Sequence, residues 1–225
     1  AHRLFLEAVE RDPNFALAHG GIAYSCFQEL FHNYDDNKAE WLARGVAAGE
    51  HAVALDDKDS YAHFALGRVL IIAGEFDRAI AELERSTSLN PSFAHGYYGI
   101  AQAFNRSGRA EEAIPLVEMA MRMSPRDPML WGMRAIRAMG SNYLGNYAEA
   151  ESWARQPAHA RPDLYQSHLP LAMALAGQDR MADAREAVNA ARRARPDLSL
   201  AWVQQHYMPE VHPEYQERML RLLAK

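Results

Sequence analysis

The sequence predicts an all-α fold: antiparallel helix pairs stacked one after another as a solenoid. Three observations predict it. The stretch Ser60 to Phe93, SYAHFALGRVLIIAGEFDRAIAELERSTSLNPSF, holds two apolar helical patterns separated by Gly74. Its closing proline recurs, because Pro91 is followed by Pro125, Pro162 and Pro196 at steps of 34, 37 and 34 residues. Two ladders keep the same register: a small residue (Ala79, Ala113, Ala150, Ala184) and a bulky ring (His19, His63, Tyr97, Trp131, His168, Trp202). One helix pair cannot bury its apolar faces alone, so repetition at this period implies stacking on neighbouring pairs.

The elements follow in order. Residues 1–15 form a partial repeat whose helix places Leu4, Phe5, Ala8 and Val9 on one face and ends at Asp12-Pro13. Residues 16–59 make a stretched repeat with about ten extra residues between Glu29 and Trp41. A longer first helix and a polar connection, Asn33-Tyr34-Asp35-Asp36-Asn37, are expected to absorb them. Asn37 and Glu40 have N-cap spacing for the next helix. Residues 60–93 and 94–127 are regular repeats, with Gly74 and Gly108 at the reversal between helices. Pro115 falls early in its helix, where a proline costs less.

Residues 128–164 carry three extra residues, so a first helix from Pro128 to about Leu144 is expected to be nearly one turn longer. Pro157 stands in a helix interior and is expected to kink or end that helix. Residues 165–198 regain the period, with Asp179 replacing the turn glycine and Pro170 early in its helix. Residues 199–225 add a helix led by Trp202, a break at Met208-Pro209, and a last helix from about Glu214 that caps the stack. The whole, 1–225, reads as a single solenoid.

Composition excludes several functions. The formal charge of -5 does not suggest a nucleic-acid surface. The single cysteine, Cys26, excludes an internal disulfide and a cysteine-based zinc site. No apolar run is long enough to insert in a membrane. No phosphate loop, nucleophile elbow or His-Glu-x-x-His pattern occurs, so no catalytic residue, metal ligand or cofactor is assigned. Three histidines share the ring ladder with Tyr97, Trp131 and Trp202, which marks that position as packing. The acidic group at Asp35-Asp36 lacks the spacing of a calcium loop and reads as a turn. Six methionines cluster from Met119 to Met139 and read as core filler.

Within residues 60–93, Leu66-Gly67, Leu70, Ala79, Leu83 and Pro91 fall on the Leu-Gly, Tyr, Ala, Phe and Pro positions of the tetratricopeptide repeat (TPR). The chain therefore resembles a TPR protein. That resemblance implies a right-handed superhelix whose first helices line a concave groove for a protein or peptide. Positions 2, 5, 9, 12 and 13 of the first helix carry the groove in that family. Here they are Tyr61, Phe64, Arg68, Ile71 and Ile72, then His95, Tyr98, Gln102, Asn105 and Arg106, with Tyr24, Phe27 and Gln28 upstream. The groove set is thus Tyr24, Phe27, Gln28, Tyr61, Phe64, Arg68, Tyr98, Gln102, Asn105 and Arg106. It departs from the carboxylate-clamp pattern of chaperone-binding TPRs, since Gly20, Tyr24, Ala65, His95 and Gly99 stand at equivalent positions.

The opening LFLEAVERDPNFALAHGGIAYS, the stretched repeat and the close PEYQERMLRLLAK are similar to the C-terminal TPR region of bacterial class III adenylate/guanylate cyclases. Regulators with a winged-helix domain have similar tails. Ala1 falls in mid-repeat, so the sequence is expected to be a piece of a longer protein. The resemblance implies a cytoplasmic interaction module of a signalling protein, without activity of its own. Homo-oligomerisation through the apolar face of residues 1–12 is the rival expectation.

Overall fold

The computed structural model describes residues 1–32, 37–206 and 211–224. The polar connection expected at 33–36 and the break at Met208-Pro209 lie outside them. Among the described residues there are thirteen α-helices and no strands. The chain forms two compact units, 1–103 and 104–225. Each is a stack of antiparallel helix pairs.

The first unit contains α1 (His2–Arg11), α2 (Ala16–His32), α3 (Lys38–Leu55), α4 (Ser60–Ala73), α5 (Phe76–Leu89) and most of α6 (Ala94–Arg106). The expected long first helix appears, since α2 has 17 residues. Its partner α3, at 18 residues, is long as well, so the excess is shared by both helices. Asn37 is the N-cap of α3, but the bond that forms runs from its Nδ2 to Glu40 Oε2 at 2.5 Å, between side chains. Helix pairs approach closely where side chains are absent. A Cβ on Gly67 would stand 2.6 Å from Leu83 Cγ and 3.1 Å from the Ala79 carbonyl oxygen. The core holds Ala23, Phe27, Leu30, Ala65, Val69 and Ile72.

The second unit begins in the last residues of α6 and contains α7 (Ala110–Met123), α8 (Leu130–Tyr143), α9 (Tyr147–Ala160), α10 (Tyr165–Gly177), α11 (Met181–Ala194), α12 (Leu200–His206) and α13 (Pro213–Leu223). The turn positions behave as the sequence requires. Gly74, Gly108 and Gly145 have φ of 78°, 87° and 82°, and Asp179 takes 58°. That is the left-handed region, which glycine enters freely and aspartate more readily than most residues.

Two expectations are corrected here. The first helix of residues 128–164 is not longer: α8 starts at Leu130 and has 14 residues, like α9 and α11. Two of the three extra residues instead lengthen the turn after α7, which has six residues where the turns before α4, α6 and α10 have four. Pro128 disfavours a helical Asp127, and the Asp127 carboxylate accepts from the Met129 amide at 2.8 Å and the Ser124 hydroxyl at 3.0 Å. Nor does α9 end at Pro157. It runs on to Ala160, and the Pro157 carbonyl accepts from the Arg161 amide at 2.9 Å. Pro157 lies near the helix C-terminus and is buried, so packing against α8 and α10 outweighs one lost amide donor.

The ring ladder has a specific job. His19 Nε2, His63 Nε2, Tyr97 Oη and His168 Nε2 donate to the carbonyls of Pro13, Asp57, Pro91 and Pro162, at 2.8, 3.0, 3.3 and 3.1 Å. Each acceptor lies six residues earlier, in the turn between repeats. A carbonyl can only accept, so these bonds place the proton on Nε2 of each histidine. Where the ladder carries histidine or tyrosine it therefore ties the turn to the helix that follows it, whereas the buried Trp131 Nε1 has no partner.

Candidate functional site

The first unit presents an almost continuous row of rings along its first helices α2, α4 and α6. On α4 and α6 the rings stand at positions 2 and 5 (Tyr61, Phe64, His95, Tyr98) and on α2 at positions 9 and 12 (Tyr24, Phe27), and they meet across the helix boundaries. Tyr24 lies 5.5 Å from Phe64 and 6.2 Å from Tyr61, ring centre to ring centre. Phe64 lies 4.9 Å from Phe93 edge-on and 6.2 Å from His95, which is 6.3 Å from Tyr98. Phe27 and Phe31 extend the row at the other end, stacked at 5.5 Å. Tyr24, Gln28, Tyr61 and His95 are partly exposed. Burial, with Tyr24 and Asp59 nearby, pushes the Tyr61 hydroxyl up to about 12. It is therefore a neutral hydrogen-bonding group at any physiological pH.

Arg68 lies within the row. Its guanidinium carbon is 4.3 Å from the centre of the Phe27 ring, 4.8 Å from Tyr98 and 5.8 Å from Phe64. The residue is 2 % exposed, and neither Nε nor Nη1 has a hydrogen-bond partner. Three aromatic faces stabilise the cation, yet burying a charge with unmet donors is costly. Gln102, on α6, is 1 % exposed with its Oε1 also unmet.

The other expected groove residues are placed differently. Phe27, Phe64, Tyr98, Gln102, Asn105 and Arg106 are buried, whereas Tyr24, Gln28 and Tyr61 are partly open. Asn105 Nδ2 donates to the Ile136 carbonyl at 2.8 Å, and Asn142 Nδ2 repeats this to the Pro170 carbonyl at 2.8 Å. These amides join one first helix to the next. Sequence reasoning passed over Phe93, whose ring joins the row from the turn before α6. Its signal was an aromatic residue directly after Pro91-Ser92.

In the second unit the last helix does more than close the end of the chain. Helix α13 lies against α8 and α10. Tyr215 stacks on Tyr143 at 4.2 Å and 10°. Its hydroxyl donates to the Gly108 carbonyl at 3.2 Å and accepts from the Ala110 amide at 3.4 Å. The His212 amide donates to the Arg106 carbonyl at 2.7 Å, and Arg218 Nη1 donates to the Tyr143 carbonyl. Met219 is fully buried. Tyr143, two residues before the Gly145 turn, is the counterpart of Arg106, two residues before Gly108. A position expected to line the groove is thus covered in that repeat by the chain itself.

One buried charge of the second unit is satisfied locally. Arg137, 5 % exposed, reaches Glu118 at 2.7 Å and Glu149 at 2.6 Å and bonds the Ser141 hydroxyl. Burial pushes the Glu149 carboxyl up, but the bonds from Arg137 and Ser141 outweigh it and hold the carboxyl below its ordinary value. Burial raises the Cys26 thiol to about 11, so it is no thiolate nucleophile. Among the described residues, no cluster of three or more His, Cys, Asp or Glu could hold a metal, and no helix is long and apolar enough to cross a membrane.

Comparison with known proteins agrees with this architecture. The tetratricopeptide repeat family profile matches residues 64–128. Superkiller protein 3 of Schizosaccharomyces pombe is 24% identical over 180 residues, which cover 66% of this chain and 13% of that protein. The chain therefore spans about an eighth of the length of that relative. Among solved structures, TTC0263, a thermophilic TPR protein of Thermus thermophilus, superimposes with a TM-score of 0.65 at 16% identity, covering 92% of this chain and 100% of its own. YrrB, a TPR protein with an unusual peptide-binding site, gives 0.54 at 18% identity, covering 91% and 99%. Residues 64–128 are thus tetratricopeptide repeats, and the chain has the helical-solenoid fold of TPR proteins, a fold suited to protein–protein interaction.

Proposed function

We propose that the chain is a protein-interaction module that takes a peptide segment of a partner on the first-helix face of residues 1–103. The observation that carries this reading is the aromatic row from Phe31 to Tyr98 around the unpaired Arg68 guanidinium. Aromatic and arginine side chains dominate binding energy at protein interfaces. Tyr24, Tyr61 and His95 offer ring surface to a partner, and a hydrogen-bond acceptor brought by the partner would meet the stranded donors of Arg68. YrrB, with the same fold, has a peptide-binding site, which supports the class of ligand. The test is selection of a random peptide library on the full chain, followed by affinity measurement with Tyr24→Ala/Tyr61→Ala. The reading expects at least about a tenfold loss, the scale of one interface hot spot. Unchanged affinity rejects it.

On the likeness of its opening and closing segments, we further propose that this module belongs to a bacterial signalling protein of the cytoplasm, as the C-terminal part of a class III adenylate/guanylate cyclase. A winged-helix transcriptional regulator is the alternative parent. Reading the open frame upstream of Ala1 decides between them.

A second reading is self-association through the N-terminal helices. Leu4 and Leu17 are 63% and 49% exposed, and Leu6 and Phe15 are exposed beside them. Sedimentation of the full chain against Leu4→Glu/Leu17→Glu tests it. A wild type that stays monomeric at high concentration rejects it.

A further inference from the structure

Residues 104–225 contain a cavity that the peptide-binding reading does not use. It lies between α7, α8 and α9, beside the lengthened turn after α7, and has a volume of about 460 Å³. Trp153, Met121, Leu130 and Pro125 line it, and Arg122 and Arg134 bring two guanidinium groups to it. Neither arginine has an ion-pair or hydrogen-bond partner among the described residues. Glu118 also lines the space, but its Oε1 is engaged by Arg137 at 2.7 Å. The next cavity along the stack, between α9, α10 and α11, shows a different pattern. There Arg180 pairs with Glu151 at 2.8 Å and Asp183 at 2.5 Å, and Arg155 also pairs with Glu151. Arg193 lines that second cavity too and, like Arg122 and Arg134, has no ion-pair or hydrogen-bond partner among the described residues, so the second cavity mixes paired and unpaired arginines whereas both arginines of the first are unpaired.

We propose that the cavity between α7, α8 and α9 binds the carboxylate of an amphipathic acid, with the acid's flat or branched apolar body against Trp153 and Leu130. The volume lies in the range of small-molecule sites, which are mostly apolar with a few placed polar groups. Guanidinium groups match a carboxylate in charge and geometry, and an indole face favours a flat ring. The acid is either a free small molecule or the C-terminal aromatic residue of a peptide.

The test titrates the intact, isotope-labelled chain and follows the indole N–H signal of Trp153, assigned by its loss in Trp153→Phe. The probes are 2-naphthoate, its neutral amide, and a tetrapeptide ending in tryptophan with a free carboxyl group. The proposal expects naphthoate to move the Trp153 signal and the amide to bind about tenfold or more weakly, the scale of one charge-assisted hydrogen bond. Arg134→Gln and Arg122→Gln should each weaken the acid and leave the amide unchanged. Binding of the tetrapeptide at the same signal identifies a chain terminus as the source, and binding of naphthoate alone identifies a free acid. Absence of any Trp153 shift at millimolar probe, or equal binding of acid and amide, overturns the proposal.

Discussion

Truncating Met219 to alanine should loosen the second unit and leave the first intact. Met219 is fully buried, next along α13 from a Tyr215 stacked at 4.2 Å on Tyr143. Removing a buried methionine side chain costs about 2–5 kcal/mol, the upper part of the range applying where the site cannot collapse. Here α8 and α10 are themselves held by the repeat stack, so collapse is limited and about 3 kcal/mol is expected. The cost should appear in one place. Hydrogen exchange should quicken for amides of α8, α10 and α13 by about two powers of ten, because each 1.4 kcal/mol is a factor of ten. Amides of α4 and α5 should keep their protection. Tyr215→Phe, which loses only the hydroxyl bonds to Gly108 and Ala110, should cost about 1 kcal/mol in the same region. A Met219→Ala loss below about 1 kcal/mol, or exchange that quickens equally throughout the chain, would refute the docking of α13 as the cause.

Three further outcomes follow from the packing. Gly67→Val should destabilise the first unit by about 2 kcal/mol or more, because its Cβ would stand 2.6 Å from the fully buried Leu83; an unchanged melting temperature would contradict that close approach. His168→Phe keeps the ring but loses the bond to the Pro162 carbonyl, so a loss of about 1 kcal/mol by denaturant titration is expected, and none if the ring acts by packing alone. Burial pushes the Glu151 carboxyl up, but bonds from Gln178, Arg180 and Arg155 outweigh it and hold the carboxyl below 4.5. Its stabilising effect is therefore complete above that value and is lost as pH falls through the lowered folded value. Glu151→Gln should be less stable than wild type at neutral pH, by about 1 kcal/mol, with the difference shrinking as pH falls below 4.5; a difference that stays constant into acid would contradict the pairing.

Much of this architecture can be read from the sequence because a repeat states its rules several times. The turn glycines and the ring ladder appear at the same register in successive repeats, so each supports the others. Chemistry then explains the ladder, since histidine and tyrosine share a polar ring atom that reaches the carbonyl six residues back. What the repeat does not state was read less well. The three extra residues near Pro128 looked like helix, but the Asp127 carboxylate and the proline ring make a longer turn cheaper than another helical turn. Pro157 looked like a kink or a stop, yet α9 runs on through it to Ala160 against two neighbouring helices. Tertiary placement was the least legible. Nothing local in YQERMLRLL says that α13 folds onto α8 and α10. The groove positions specify which way a side chain points but not what covers it. Asn105 and Asn142 therefore join helices, while Tyr24 and Tyr61 stay partly open.

The most direct test of the interaction reading is chemical-shift mapping of a library-selected peptide on the labelled full chain. The account predicts that the largest shifts fall on Tyr24, Gln28, Tyr61, His95 and the side chain of Arg68. Shifts confined to residues 104–225, with those of Tyr24, Tyr61 and Arg68 unchanged, would contradict it.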